Sequence, residues 1–245
     1  MSATSIEWTD ETWNPVTGCS KQSEGCAHCY AEAMSHRLKL MGIPKYTNGF
    51  SITLHPNTLS EPLSWKKPRN IFVCSMSDLF HEKVPFEFID RVLDSIRKTP
   101  QHRYQLLTKR PERMVEYFST RLVPDNVWVG TTVESNLYKF RIDILKSIRA
   151  KVHFLSCEPL LGPLDELDLS GIEWVIVGGE SGPNARKMLS KWVKSIKEQT
   201  SKFNVPFFFK QWGTWGPDGI RRSKKKNGKL FEGAVVQEMP KIMSK

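Results

Sequence analysis

The sequence predicts an α/β fold built on a parallel sheet, as a closed barrel or an open sheet. Two observations carry that expectation. Short apolar runs rich in β-branched and aromatic residues recur from residue 70 onward, and the stretches between them place apolar residues three and four positions apart. A third observation fits: each run ends in polar residues or glycine, as parallel strands do where they meet site-bearing loops. With 245 residues, 39% hydrophobic and 25% charged, the chain is long enough for one large α/β domain or two small ones, and disorder is excluded as its general state.

In chain order, strands are expected at 70–74 (NIFVC), 103–107 (RYQLL), 126–130 (NVWVG), 151–155 (KVHFL), 173–177 (EWVIV) and 205–209 (VPFFF). Helices are expected at 86–98, 111–117, 137–149 and 191–203, with Pro111 in a first turn, where its missing N–H costs nothing. The strand ends read Ser75-Met76-Ser77-Asp78, Thr108-Lys109-Arg110, Thr131-Thr132-Val133-Glu134, Ser156-Cys157-Glu158, Gly178-Gly179-Glu180-Ser181 and Lys210-Gln211-Trp212. Repetition of polar ends at every strand is more informative than any single one, although each carboxylate or lysine there could equally form a plain ion pair. Segment 42–67 is loop-like and proline-containing and reads as an insertion or cap. Trp8, Trp13, Trp212 and Trp215 flank the first and last parts of this framework, where core packing outweighs base stacking.

Lys and Arg total 36 against 26 Asp and Glu, a formal charge of +10. That balance fits a polyanionic partner such as nucleic acid, whose phosphates are neutralised by cations. Past Trp215 the residues Arg221, Arg222, Lys224, Lys225, Lys226 and Lys229 crowd around Asn227-Gly228, a pattern of a basic hairpin tip or mobile loop. It is either a solvated charge run or a phosphate-contacting element. No stretch has the roughly 18 consecutive apolar residues of a membrane helix, and Glu7, Asp10 and Glu11 occupy the place of a signal peptide's basic and apolar regions. A soluble cytoplasmic protein is expected.

Five cysteines, Cys19, Cys26, Cys29, Cys74 and Cys157, are odd in number and suit reduced thiols better than a disulfide framework. Three of them lie within eleven residues as C-x6-C-x2-C, a spacing that lets thiolates converge on a metal centre. A zinc site would draw a fourth ligand from His28, His36, Cys74 or Cys157. A cubane iron–sulfur cluster on three cysteines would instead leave one iron open to a ligand.

The three-cysteine motif followed by a train of β/α units resembles the radical S-adenosylmethionine (radical SAM) superfamily. More closely, the chain is similar to a phage- and prophage-associated branch through Cys19 to Tyr30 and the segments S-M-S-D-L-F (75–80), L-T-K-R-P (107–111), G-T-T-V-E (130–134), S-C-E-P-L (156–160) and G-G-E-S-G (178–182). The likeness spans roughly residues 6 to 215. It departs from the superfamily's C-x3-C-x2-C pattern, with a longer first spacer and His28 in the slot of an aromatic.

The resemblance implies a partial (β/α)6-type TIM barrel with an N-terminal cluster-binding loop over residues 1–215, and a basic C-terminal extension over 216–245. It implies a [4Fe-4S] cluster on Cys19, Cys26 and Cys29, S-adenosyl-L-methionine as second cofactor, an electron-donor protein, and cleavage of SAM to a 5′-deoxyadenosyl radical that takes hydrogen from a substrate. On chemical grounds His28 would pack beside the adenine, and Ser75, Ser77 and Asp78 would accept from the methionine ammonium. Lys109 or Arg110 would pair with the carboxylate, and Thr131 and Glu134 would bond the ribose. Gly178, Gly179 and Glu180 match a glycine-glycine-glutamate segment that holds the methionine amino group in such enzymes, although here it follows a late strand. Glu158 is a further cofactor or substrate contact, and Lys210, Arg221 and Arg222 are candidates for substrate. Two rival readings stand beside this one: a zinc-stabilised nucleic-acid-binding protein, and a divalent-metal nuclease using Asp78, Glu134, Glu158 and Glu180.

Overall fold

In a computed structural model, residue 4 and residues 6–241 are described. They form two compact units, Met1–Gly130 with Ser147–Lys151, and Thr131–Lys146 with Val152–Lys245.

The first unit contains β1 (Glu11–Trp13), β2 (Val16–Thr17), α1 (Tyr30–Leu40), β3 (Thr53–Leu54), β4 (Asn70–Val73), α2 (Phe86–Arg97), β5 (Arg103–Thr108), α3 (Pro111–Phe118) and the start of β6 (Val127–Thr132). Strand β4 pairs in parallel with β1, Glu11 opposite Ile71, and with β5, Asn70 opposite Arg103. Strand β1 has no run of its own to announce it. It is placed by tertiary contacts, since Trp13 is fully buried and donates its indole N–H to Thr58 O at 2.8 Å. Segment 42–67 is tied down in the same way: β3 pairs antiparallel with β2, and Tyr46 joins Ala31 and Met76 in a small apolar cluster. Helix α2 buries Phe88, Ile89, Val92, Leu93 and Ile96, the three- and four-residue spacing of one helix face.

The second unit continues with α4 (Phe140–Lys146), β7 (His153–Cys157), β8 (Trp174–Gly178), α5 (Ser190–Lys202), β9 (Phe207–Gln211), α6 (Lys224–Asn227), β10 (Leu230–Phe231) and β11 (Ala234–Val235). Strands β7 and β8 are buried along their whole length and pair in parallel, as continuous apolar runs do when both faces are covered. The β8–β9 register steps from Val177↔Phe209 to Gly178↔Gln211, so Lys210 is the extra residue of a bulge. In the sheet the strands follow chain order, β1-β4-β5-β6-β7-β8-β9. The fold is therefore α/β on a parallel sheet, with all six expected strands present and β1 added at the edge.

Boundaries moved for identifiable reasons. Strand β9 starts at Phe207 because Pro206 has no N–H for the ladder. Strand β7 starts at His153 because Lys151 stays at the surface, paired with Asp125 at 2.7 Å. The helix expected over 137–149 shortens to α4 behind a 3₁₀ turn at Asn136–Tyr138. The basic segment is not a hairpin tip at Asn227-Gly228. Ser223 caps the short helix α6 by accepting from Lys226 N–H, and Gly228 ends it at φ 67°. The hairpin is β10–β11, and its turn is made by Glu232 and Gly233, both at positive φ. Beyond it, Val236 O accepts from Phe209 N–H and Gln237 bridges Phe208, so the chain covers the free edge of β9. No helix among the described residues is long and apolar enough to cross a membrane.

Phe231 is 1% exposed, with its ring centroid 5.4 Å from that of Phe209 and 6.2 Å from that of Trp212. Phe231→Ala is expected to destabilise the protein by about 3–5 kcal/mol, read as a lower urea midpoint by tryptophan fluorescence. Leu230→Ala, at an exposed neighbour, should leave the midpoint nearly unchanged.

Candidate functional site

The loop between β2 and α1 carries Cys19, Cys26 and Cys29. Its entry is fixed at Gly18, whose N–H donates to Met76 O at 3.0 Å and whose carbonyl accepts from Ser77 Oγ. Gly18 has φ +83°, and a Cβ there would fall 2.2 Å from Ser51 O, so only glycine makes this turn. Cys29 is the N-cap residue of α1. All three cysteines are free thiols of intermediate exposure. Cys26 Sγ meets Gln22 N–H at 3.5 Å and Ser23 Oγ at 3.8 Å. Among the described residues no three or more His, Cys, Asp or Glu side chains gather around a single-ion position. His28 is exposed in the same loop.

Burial pushes the Cys19 thiol up to about 12; the Asp78 carboxylate pushes the same way, and Arg110 opposes both. Cys29 is also raised by burial, eased by the backbone N–H groups of Glu32 and Ala31. Both thiols are therefore protonated at neutral pH, and loading a metal onto them releases protons.

Against this loop stand the ends of β4 and β5. Asp78 accepts from Thr108 Oγ1 at 2.8 and 2.9 Å, Lys109 N–H at 3.2 Å, Phe80 N–H at 3.0 Å and Arg110 Nη1 at 3.1 Å. Arg110 in turn gives Nε–H to Glu82 at 3.1 Å, Nη2 to Ser20 O and Oγ at 3.3 and 2.8 Å, and Nη1 also to Cys19 Sγ at 3.9 Å. His81 Nδ1 accepts from Lys83 N–H, so its proton sits on Nε2, 2.8 Å from Ser20 Oγ. Burial lowers its pKa, with the Arg110 charge adding to the effect. Ser75 Oγ is engaged by the Asn14 side chain at 3.2 Å, and Asn14 Oδ1 accepts from Met76 N–H. Ser75, Ser77, Asp78 and Arg110 thus have partners within the chain, which competes with their expected roles toward an ammonium or a carboxylate. Lys109 is half-buried beside them.

In the second unit Thr131 is buried on β6. Glu134 is fully buried and accepts from Arg141 Nη1 at 3.0 Å, while Arg141 stacks over the Tyr138 ring at 4.3 Å. Glu180 takes Arg186 N–H, Nε and Nη2 at 2.7, 2.9 and 2.6 Å. Glu158 Oε2 accepts from Ser156 Oγ at 3.1 Å, and Lys210, turned by its bulge, lies 3.1 Å from Oε1 off the hydrogen-bond direction, so that oxygen keeps an unused acceptor. Gly179 is required sterically, since a Cβ there would lie 2.0 Å from Trp212 O, whereas a Cβ at Gly178 would meet the Glu158 carboxylate, 2.7 Å from Oε1, and displace it. Arg221 is exposed and donates to Pro183 O, and Arg222 is paired with Asp218 at 2.7 Å.

The structure brings Cys19, Asp78 and Arg110 together in one unit, and Glu158, Gly178 and Lys210 in the other. Arg221 and Arg222 stand on the basic segment, held by partners of their own. Sequence reasoning missed Asn14, Ser20, His81, Arg141 and Arg186. Of these only Ser20 and His81 gave a local signal, by adjoining Cys19 and the S-M-S-D-L-F segment.

The chain belongs to DUF5131, a family described as proteins of unknown function, whose model matches residues 3–240. No curated protein matches it. Similar solved structures include a spore photoproduct lyase mutant (TM-score 0.45, covering 74% of this chain and 59% of that one) and spore photoproduct lyase complexed with dinucleoside spore photoproduct (0.41, 76% and 59%). Another is a spore photoproduct lyase mutant with bound AdoMet and dinucleoside spore photoproduct (0.45, 82% and 64%). Each is 12% identical, and the chain spans about three fifths of their length.

In metal-free protein at pH 8, Cys19 is expected to react with iodoacetamide about a hundredfold more slowly than an unhindered cysteine, and to speed up about tenfold per pH unit toward pH 11. Mass spectrometry of its peptide measures this. A rate already level at pH 9 would contradict the environment described.

Proposed function

We propose that this chain is an iron–sulfur enzyme of the radical SAM type, which carries a [4Fe-4S] cluster on Cys19, Cys26 and Cys29 and reductively cleaves S-adenosylmethionine to act on a nucleic acid or nucleotide. One observation carries the reading: three free thiols share one loop, and the ends of two parallel strands hold that loop through Ser77 and Arg110. Three cysteines leave one iron without a protein ligand, where the amino and carboxylate groups of SAM would bind. The bound pair would supply the electron and the 5′-deoxyadenosyl radical for hydrogen abstraction.

The chain's own part is positioning and exclusion of water. Lys109 or Arg110 would pair with the SAM carboxylate, and Arg110 would do so only by giving up a donor now spent on Glu82, Asp78, Ser20 or Cys19. Glu158, with an acceptor to spare beside Lys210, is the better of the late-strand carboxylates for a polar substrate or cofactor group, because both Glu180 oxygens accept from Arg186. His28 beside the adenine and Thr131 at the ribose complete the proposed set, and Glu134, buried and paired with Arg141, supports the loop instead. We also propose closure of the sheet as a partial (β/α)6-type barrel over residues 1–215, with 216–245 as the basic extension. Lys224, Lys225 and Lys226 stand together on α6, and with a chain charge of +10 they suit phosphate groups. Reduced thiols and the need for an electron-donor protein suit the cytoplasm, and the motifs fit the phage-associated branch.

Anaerobic protein reconstituted with iron and sulfide, then reduced with SAM present, should release 5′-deoxyadenosine, and the Cys26→Ala, Cys29→Ala double variant should not. A colourless zinc protein that leaves SAM intact would replace this reading with that of a zinc-stabilised nucleic-acid-binding protein.

A further inference from the structure

We infer that Arg110 sets the reduction potential of the three-cysteine site through a charged hydrogen bond to the Cys19 sulfur, an inference that rests on the cluster reading above. A guanidinium has five N–H donors. In Arg110 every one has an acceptor: Nε–H goes to Glu82, the two on Nη1 to Asp78 and Cys19 Sγ, and the two on Nη2 to the carbonyl and hydroxyl oxygens of Ser20. With the residue 7% exposed, the side chain has neither a free donor nor room to swing toward an incoming carboxylate. It is a fixed cation whose one soft contact is a cysteine sulfur.

Such a contact acts on the energy of electron uptake. Reduction adds negative charge to a cluster, and an N–H donor with a full positive charge beside a ligand sulfur stabilises that charge; hydrogen bonds to the sulfurs and local net charge are among the levers that set such potentials. Cys26, by contrast, meets uncharged groups, the Gln22 N–H that donates to it and the Ser23 hydroxyl. Two carboxylates temper the cation. Asp78 is buried and also orders the ends of β4 and β5, whereas the Glu82 side chain is 58% exposed and its pairing to Nε is peripheral. Arg110 is thus a positioning residue, and Glu82 adjusts its field from the surface.

The sign of the effect separates this role from a structural one. Arg110→Gln removes the cation and leaves Asp78 uncompensated, so the midpoint potential of the reconstituted cluster should fall. Glu82→Gln removes a counter-charge and leaves the contact to Cys19 in place, so the potential should rise. Arg110→Lys, which keeps the charge but loses the fork, should fall between Arg110→Gln and wild type. Potentials are read by EPR-monitored redox titration after iron and sulfide are assayed in each protein. Opposite shifts in Arg110→Gln and Glu82→Gln support the inference. Cluster-loaded variants whose potentials are unmoved, or move in the same direction, overturn it while leaving the cluster reading intact. If Arg110→Gln fails to hold a cluster, Glu82→Gln and Arg110→Lys decide by the same signs. Wild-type protein that takes up no iron and sulfide overturns both readings together.

Discussion

A carboxylate and a guanidinium that are both more than nine-tenths buried, Asp78 and Arg110, hold the first unit's candidate site in one arrangement. Removing two charges from water costs several kcal/mol for each ion, and an ion pair recovers this only where the remaining donors and acceptors are also satisfied. Here they are. Asp78 gathers a hydroxyl, two backbone N–H groups and the guanidinium, and Arg110 spends its remaining donors on Glu82, Ser20 and Cys19. The residues after β4, the residues after β5 and the start of the cysteine loop are therefore one hydrogen-bonded body. Loss of either partner would strand a buried charge at the point where all three segments meet.

The second unit repeats the device with different degrees of completion. Glu134 with Arg141 is fully buried, and Glu180 with Arg186 is a fork of short bonds, so both read as supports for the loops after β6 and β8. Glu158 with Lys210 differs. It follows a strand whose neighbour carries a bulge, it lies against Gly178, and its Oε1 beside Lys210 accepts no hydrogen bond.

Much of this was legible in the sequence because the relevant signals are local. Runs such as WVIV and the buried faces of α2 and α5 follow from periodicity, and the C-x6-C-x2-C spacing marked the loop on which the three thiols stand. What escaped was decided at a distance. Strand β1 is three residues long and is placed by Trp13. Arg141 and Arg186 look like any helical or loop cation until the chain folds a carboxylate against them. Lys210 reads as a polar residue just past the last strand, and only the register against β8 shows that it is a bulge within β9. The polar residues at the strand ends stood out as a set, yet their number hid how many are tied to other residues of the chain: Asp78 is tied to Arg110, Glu134 to Arg141 and Glu180 to Arg186.

The most direct test of the account is whether the three-thiol loop holds a cluster with an open iron. EPR spectra of the reduced, reconstituted protein should show a cluster signal that changes when S-adenosylmethionine is added, and the signal should be lost when Cys26 and Cys29 are replaced by alanine. A signal unaltered by S-adenosylmethionine would mean that every iron is already ligated, and it would contradict the central claim.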